Sequence, residues 1–208
     1  MNPLNTVIGT LVGGLVLSLV IMAVAATTGS SMAGANWVNS FLIWLHVVAG
    51  IAWIGLLYYF NFVQVQALSE AASDDGGPSG AAITRYVAPR ALLWFRWAAL
   101  VTWLAGATFL LHRGDFINAF TLGAVAGGGD AMYGLTIGIG AWLGTIMLIN
   151  VWFFIWPNQK RVLGLVEASA EEINKSRRTA FLFSRTNTLL SIPMLASMVS
   201  AGGHGMMF

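Results

Sequence analysis

The chain has 208 residues, of which 57% are hydrophobic and 9% charged, and its formal net charge is +2; its mean hydropathy is +0.75. Soluble domains carry about 25% charged residues, so the composition excludes an ordinary soluble domain and points to a protein held in the lipid bilayer. The few charges sit in the connections and speak for orientation rather than nucleic-acid binding. The absence of cysteine excludes disulfides, thiolate metal sites, iron–sulfur clusters and haem attached through C-x-x-C-H.

Apolar runs of about 20 residues can cross a bilayer. The sequence holds about five, near residues 6–27, 37–62, 90–112, 131–156 and 179–201. The expected fold is an all-α integral membrane helical bundle, formed as one domain over residues 1–208. Thr6–Thr27 has no charge. Ala23-Val24-Ala25 looks like a peptidase site, but no basic segment precedes it, so a retained helix is expected. The second run, Trp37–Phe62, contains His46. Ala67–Ala88 is polar and holds Asp74, Asp75, Gly76, Gly77 and Pro78, which predicts a loop. Pro89 suits the first turn of a third helix, Arg90–His112, which carries Arg96.

Phe116–Val125 is too short to span and is expected at the membrane interface. In the fourth run, Gly134/Gly138 and Gly140/Gly144 permit close helix approach in lipid. This run ends in Asn150 and Trp156, with Lys160 and Arg161 just beyond, as a membrane boundary requires. Arg161–Arg178 reads as a charged surface helix. The fifth run, Thr179–Ala201, holds Arg185 and Asn187, and Pro193 is expected to kink it.

Lys and Arg cluster after the second and fourth runs: Arg85, Arg90, Lys160, Arg161, Lys175, Arg177 and Arg178. The positive-inside rule places those connections in the cytoplasm. Five spans then put the N-terminus in the cytoplasm and the C-terminus in the periplasm. The unusual residues fall into two layers. His46, His112 and His204 gather at the periplasmic side. Arg96, Asn150 and Arg185 share a depth of roughly 9 Å from the cytoplasmic boundary, at 1.5 Å per residue.

A histidine in hydrocarbon is a functional hypothesis by default. On a helix, Gly50, Trp53, Leu57, Asn61 and Gln64 share its face, and Gly50 would let a flat group lie against the backbone. His46 reads either as a haem or metal ligand or as a packed, hydrogen-bonded side chain. Haem b in a bundle takes two imidazoles from facing helices, so His112 or His204 is the candidate second ligand. Copper is the alternative, through His46 and His112 with Met194, Met198, Met206 or Met207. No acidic residue lies inside a span, so Arg96 and Arg185, with Asn150 and Asn187, read as a site for an anionic small molecule. The competing reading has the arginines snorkelling to the interface. No residue is identified as catalytic.

The blocks WLHVVAGIAWIGLLYYFNFVQ, RW, NVWFFIWPNQK and SRTNTLLSIPML resemble the membrane domain of the bacterial cytochrome-linked urate oxidase (urate hydroxylase) family. The resemblance covers about Phe41 to Met198. The looser histidine block is also similar to copper-resistance membrane proteins and to a haem-biosynthesis oxidase family. In the urate oxidase family a membrane domain is joined to a periplasmic cytochrome c domain. The resemblance implies oxidation of urate to 5-hydroxyisourate with electrons passed to cytochrome c. It also places Arg96, Asn150, Arg185 and Asn187 in matching blocks. With no C-x-x-C-H in the chain, the expected acceptor is a separate periplasmic cytochrome c or a larger membrane complex. The contrasting expectation is an accessory or assembly subunit without chemistry, packed through its glycine faces.

Overall fold

The structure, a computed structural model, describes residues 2–27, 35–125 and 130–204. Every regular element among them is helical. The connection 28–34 and the candidate ligands Met206 and Met207 lie outside the described residues. The chain divides into two compact units, Met1–Phe41 and Leu42–Phe208.

In the first unit Asn2 caps a short 3-10 turn, Pro3–Asn5, by accepting the Leu4 N–H at 2.9 Å. Helix α1, Val7–Thr27, follows. None of its described side chains is buried. A helix apolar on every face belongs in lipid or a protein core. Helix α2, Ala35–Tyr58, begins in this unit, where Trp37 stacks on Phe41 with centroids 5.8 Å apart.

In the second unit α2 runs on through a π-helical segment, Tyr59–Gln64, into α3, Val65–Ser73. A connection at 74–80 leads to a π-helical segment, Ile83–Val87, and α4, Ala88–Arg113. The polar stretch is therefore mostly helix, and only its Asp-Asp-Gly-Gly-Pro centre is loop. Gly114, at φ 78°, ends α4 in the left-handed conformation that favours glycine. The short α5, Phe116–Phe120, packs on α6, Ala131–Ile149. A Cβ at Gly134 would strike the Asn118 amide, and one at Gly138 would strike the Ala119 carbonyl. The predicted glycine pair thus seats α5, not a spanning helix.

Beyond α6 lie a π-helical segment, Asn150–Ile155, and α7, Trp156–Val162. The last helix, α8, is Ala170–Val199. It starts with a capping box: Ser169 Oγ accepts the Glu172 N–H, and Glu172 Oε2 accepts the Ser169 N–H at 2.8 Å. The helix continues through Pro193, and a π-helical turn, Ser200–His204, follows.

Among the described residues, four helical stretches are long and apolar enough to cross a membrane: Val7–Ala25, Trp37–Ser73, Ile83–Arg113 and Ala131–Val162. The chain is a multi-pass membrane protein. Helix α8, with 30 residues, has the length, but its polar and charged residues dilute its apolarity. The fifth predicted run is its second half. The core is Trp53, Leu57 and Phe60 from α2 and its extension, Phe95 and Ala99 from α4, Met147 and Val151 from α6 and its extension, and Met194 from α8. Lipid offers no hydrophobic drive between helices, so packing and interhelical hydrogen bonds carry the cohesion. Tyr58 Oη meets Ser191 Oγ at 2.9 Å, and Trp103 Nε1 donates to Thr145 Oγ1 at 2.8 Å.

Candidate functional site

Two cavities lie at opposite ends of the second unit. The first, of about 870 Å³, is walled by α2, α4, α6 and α8 and includes His46, Gly50, Trp53, Thr102, Met194, Met198 and His204. The ring of His46 crosses to α4, where its Nδ1 lies 2.8 Å from the Thr102 carbonyl oxygen. A carbonyl oxygen can only accept, so Nδ1 carries the proton and Nε2 keeps the lone pair. That hydrogen bond fixes the ring, as a carbonyl bonded to the far nitrogen fixes a metal-ligating histidine. Gly106 makes the approach possible, because a Cβ there would stand 2.8 Å from Nδ1 and 3.0 Å from Cε1.

Gly50, one turn beyond His46, lines the same cavity. A Cβ at Gly50 would touch only Thr102 Cγ2, at 3.7 Å, and one at Gly144 would touch nothing within 4 Å. Bare backbone there leaves space that side chains would fill. Trp53, 2% exposed, also lines this space, and its buried Nε1 has no hydrogen-bond partner. An oriented imidazole, glycine-backed walls and an apolar lining leave room for a flat group beside His46. Among the described residues no three His, Asp or Glu side chains gather as a metal-binding set. A bare copper ion would therefore need sulfur, and Met194 and Met198 share the wall with His46 and His204. His112 does not line this cavity; it is exposed in the last turn of α4.

The predicted anion layer resolves differently from its residue count. Arg96 stacks its guanidinium over the Trp156 ring, 3.7 Å from the centroid. Arg185 is exposed and lies 5.2 Å from the centroid of Phe181. Neither arginine lines either of the two cavities. Asn150 and Asn187 are buried and bond to each other, Nδ2 to Oδ1, at 2.8 Å. Asn187 Nδ2 also donates to the Met147 carbonyl at 3.0 Å. This pair joins the end of α6 to α8.

The second cavity, of about 480 Å³, lies at the basic end and is bordered by Asn61, Gln64, Gln159, Arg177, Arg178 and Ser184 among others. Asn61 and Gln64 stand on the face that starts at His46. Thr102 and Gly106 had a fainter signal, two small residues four apart on α4.

The family described as urate oxidase N-terminal matches residues 32–122 and 128–208, most of the chain. No curated protein and no solved structure matches it.

Proposed function

The chain belongs to the urate oxidase N-terminal family, and on that premise we propose that it is a membrane oxidoreductase or electron-transfer subunit of the urate-oxidising kind. In this reading the histidine cavity holds haem b. His46 and His204 are the residues that would hold it, and Gly50 would leave it room beside the α2 backbone. A bound haem would supply one-electron transfer. Electrons taken from urate leave for a periplasmic cytochrome c. The protein's own part is to hold the His46 ring by the Thr102 carbonyl and to keep an apolar wall around it. The observation that carries the reading is the His46 ring at the cavity wall, held at Nδ1 by the Thr102 carbonyl and seated against Gly106.

Met194 and Met198 on the same wall favour copper as the second reading. A visible spectrum of the purified protein separates the two. The α-band of a reduced b-type haem, lost in His46→Ala, is the expected result. A colourless protein carrying copper would replace haem with the second reading. A colourless protein with no metal would leave an accessory role. Urate-dependent reduction of cytochrome c by membranes containing the chain tests the substrate, and its absence would remove urate.

A further inference from the structure

We propose that the cavity at the basic end holds an anionic phospholipid, with its phosphate at Arg177 and Arg178 and one acyl chain inside. The cavity changes character along its depth. Phe60, Leu92 and Phe95 are buried and close its inner end, Phe60 standing edge to face on Phe95 at 5.5 Å. Asn61 and Gln64 stand beside them, but their amide oxygens are buried against protein. Asn61 Nδ2 is taken up by the Leu57 carbonyl and Ser184 Oγ, each at 2.8 Å. The inner end therefore offers hydrocarbon rather than hydrogen bonds. Leu68, Val162 and Leu163, half-buried, carry the apolar lining outward.

The rim has the opposite character. Arg177 and Arg178, exposed early in α8, border the cavity with Asn174 and Gln159, and no carboxylate lines it. Arg177 Nη1 makes a long bond to Asn174 Oδ1, at 3.3 Å, and among the described residues neither arginine has an acidic partner. From Arg177 to Ser184 along α8, and from Ala88 to Phe95 along α4, the walls run inward seven residues, about 10 Å. Such a cavity suits an amphiphile.

Its place in the fold names the kind. The stretches Trp37–Ser73 and Ala131–Val162 end here and Ile83–Arg113 begins here, and Lys160 and Arg161 follow Trp156, the pattern of a membrane boundary. A soluble anion would meet the arginines and leave the apolar wall facing water. A neutral lipid would fill the wall and leave two cations unmatched. A negatively charged phosphodiester joined to acyl chains meets both demands. The site is separate from the histidine cavity, and nothing in it depends on the cofactor or on urate.

Titration of dioleoylphosphatidylglycerol and dioleoylphosphatidylcholine into the delipidated full chain, followed by native mass spectrometry, tests it. Phosphatidylglycerol should bind about tenfold more tightly than phosphatidylcholine at its first site. Arg177→Gln and Arg178→Gln should each weaken it about fivefold, the worth of one cation beside an anionic lipid head. Arg85→Gln takes the same charge from the same end outside the cavity and should change nothing. Leu163→Trp fills part of the apolar lining and should weaken binding with both arginines in place. If it fails to fold, Val162→Trp carries that arm. Inorganic phosphate in large excess should displace nothing. Equal binding of the two lipids, wild-type affinity in both arginine variants, or displacement by phosphate overturns the proposal. An Arg85→Gln loss equal to that of Arg178→Gln means a diffuse basic surface, and wild-type affinity in the folded tryptophan variant means a lipid held only outside the cavity; either result overturns it too.

Discussion

Gly106 decides where His46 can stand. With a methyl group there, the imidazole must retreat from α4, and the Thr102 carbonyl loses its donor. If the cavity holds haem as proposed, Gly106→Ala should lower its affinity about ten- to a hundredfold, as loss of the hydrogen bond that orients a ligating histidine does. The fall would show in absorbance per mole of chain. Gly50→Ala makes the contrast, since its Cβ meets only Thr102 Cγ2 at ordinary distance. Its Tm in detergent should match wild type while the absorbance falls. The buried asparagines behave in the opposite way. Asn187→Leu strands the Asn150 amide and the Met147 carbonyl, and should destabilise by about 1–3 kcal/mol in a reversible unfolding titration. Asn150→Leu combined with Asn187→Leu removes both partners and should cost less than the sum of the single changes.

Helical stripes and single side chains were not equally legible at the level of elements. Steps of three and four from His46 named Gly50, Trp53, Leu57, Asn61 and Gln64, and these residues do line the two cavities or the core between them. Depth was legible too, because residues along a helix count off distance. Direction was not. Arg185 and Asn187 stand two positions apart, yet one is exposed and the other fully buried. The π-helical segments Tyr59–Gln64 and Asn150–Ile155 add to the difficulty. Each admits extra residues per turn and turns the following face, and each carries a buried asparagine, Asn61 and Asn150. No residue preference announced them. The capping box of α8 was equally unread, although it has a pH signature. Hydrogen bonds from the Ser169 backbone and side chain hold the Glu172 carboxyl below its ordinary value. A depressed folded value means the stabilisation is present above the ordinary glutamate range and is lost as the pH falls through the lowered value. The protection factors of amides at the start of α8, referred to the intrinsic exchange rate at each pH, should fall below that range in wild type, and Glu172→Gln should flatten the dependence.

Across the whole molecule the chemistry sorts by end. The connection between α3 and α4 and the turn between α7 and α8 lie beside Arg85, Arg90, Lys160, Arg161, Lys175, Arg177 and Arg178. At the other end of the helices the described charges outside the histidines are Arg113, paired with Asp115 at 3.0 Å, and Asp130. The positive-inside rule counts Lys and Arg near the helix ends, and on that count it predicts that the basic end faces the cytoplasm. The absence of cysteine makes this directly measurable, because any introduced thiol is the sole target in the chain. Ser79→Cys lies in the exposed connection after α3, and Ala124→Cys is exposed beyond α5. A membrane-impermeant maleimide applied to intact spheroplasts should label Ala124→Cys and reach Ser79→Cys only after lysis. The reverse pattern would turn the molecule over. It would place the histidine cavity on the cytoplasmic side, out of reach of a periplasmic cytochrome c, while leaving the ligand chemistry of both cavities as it stands.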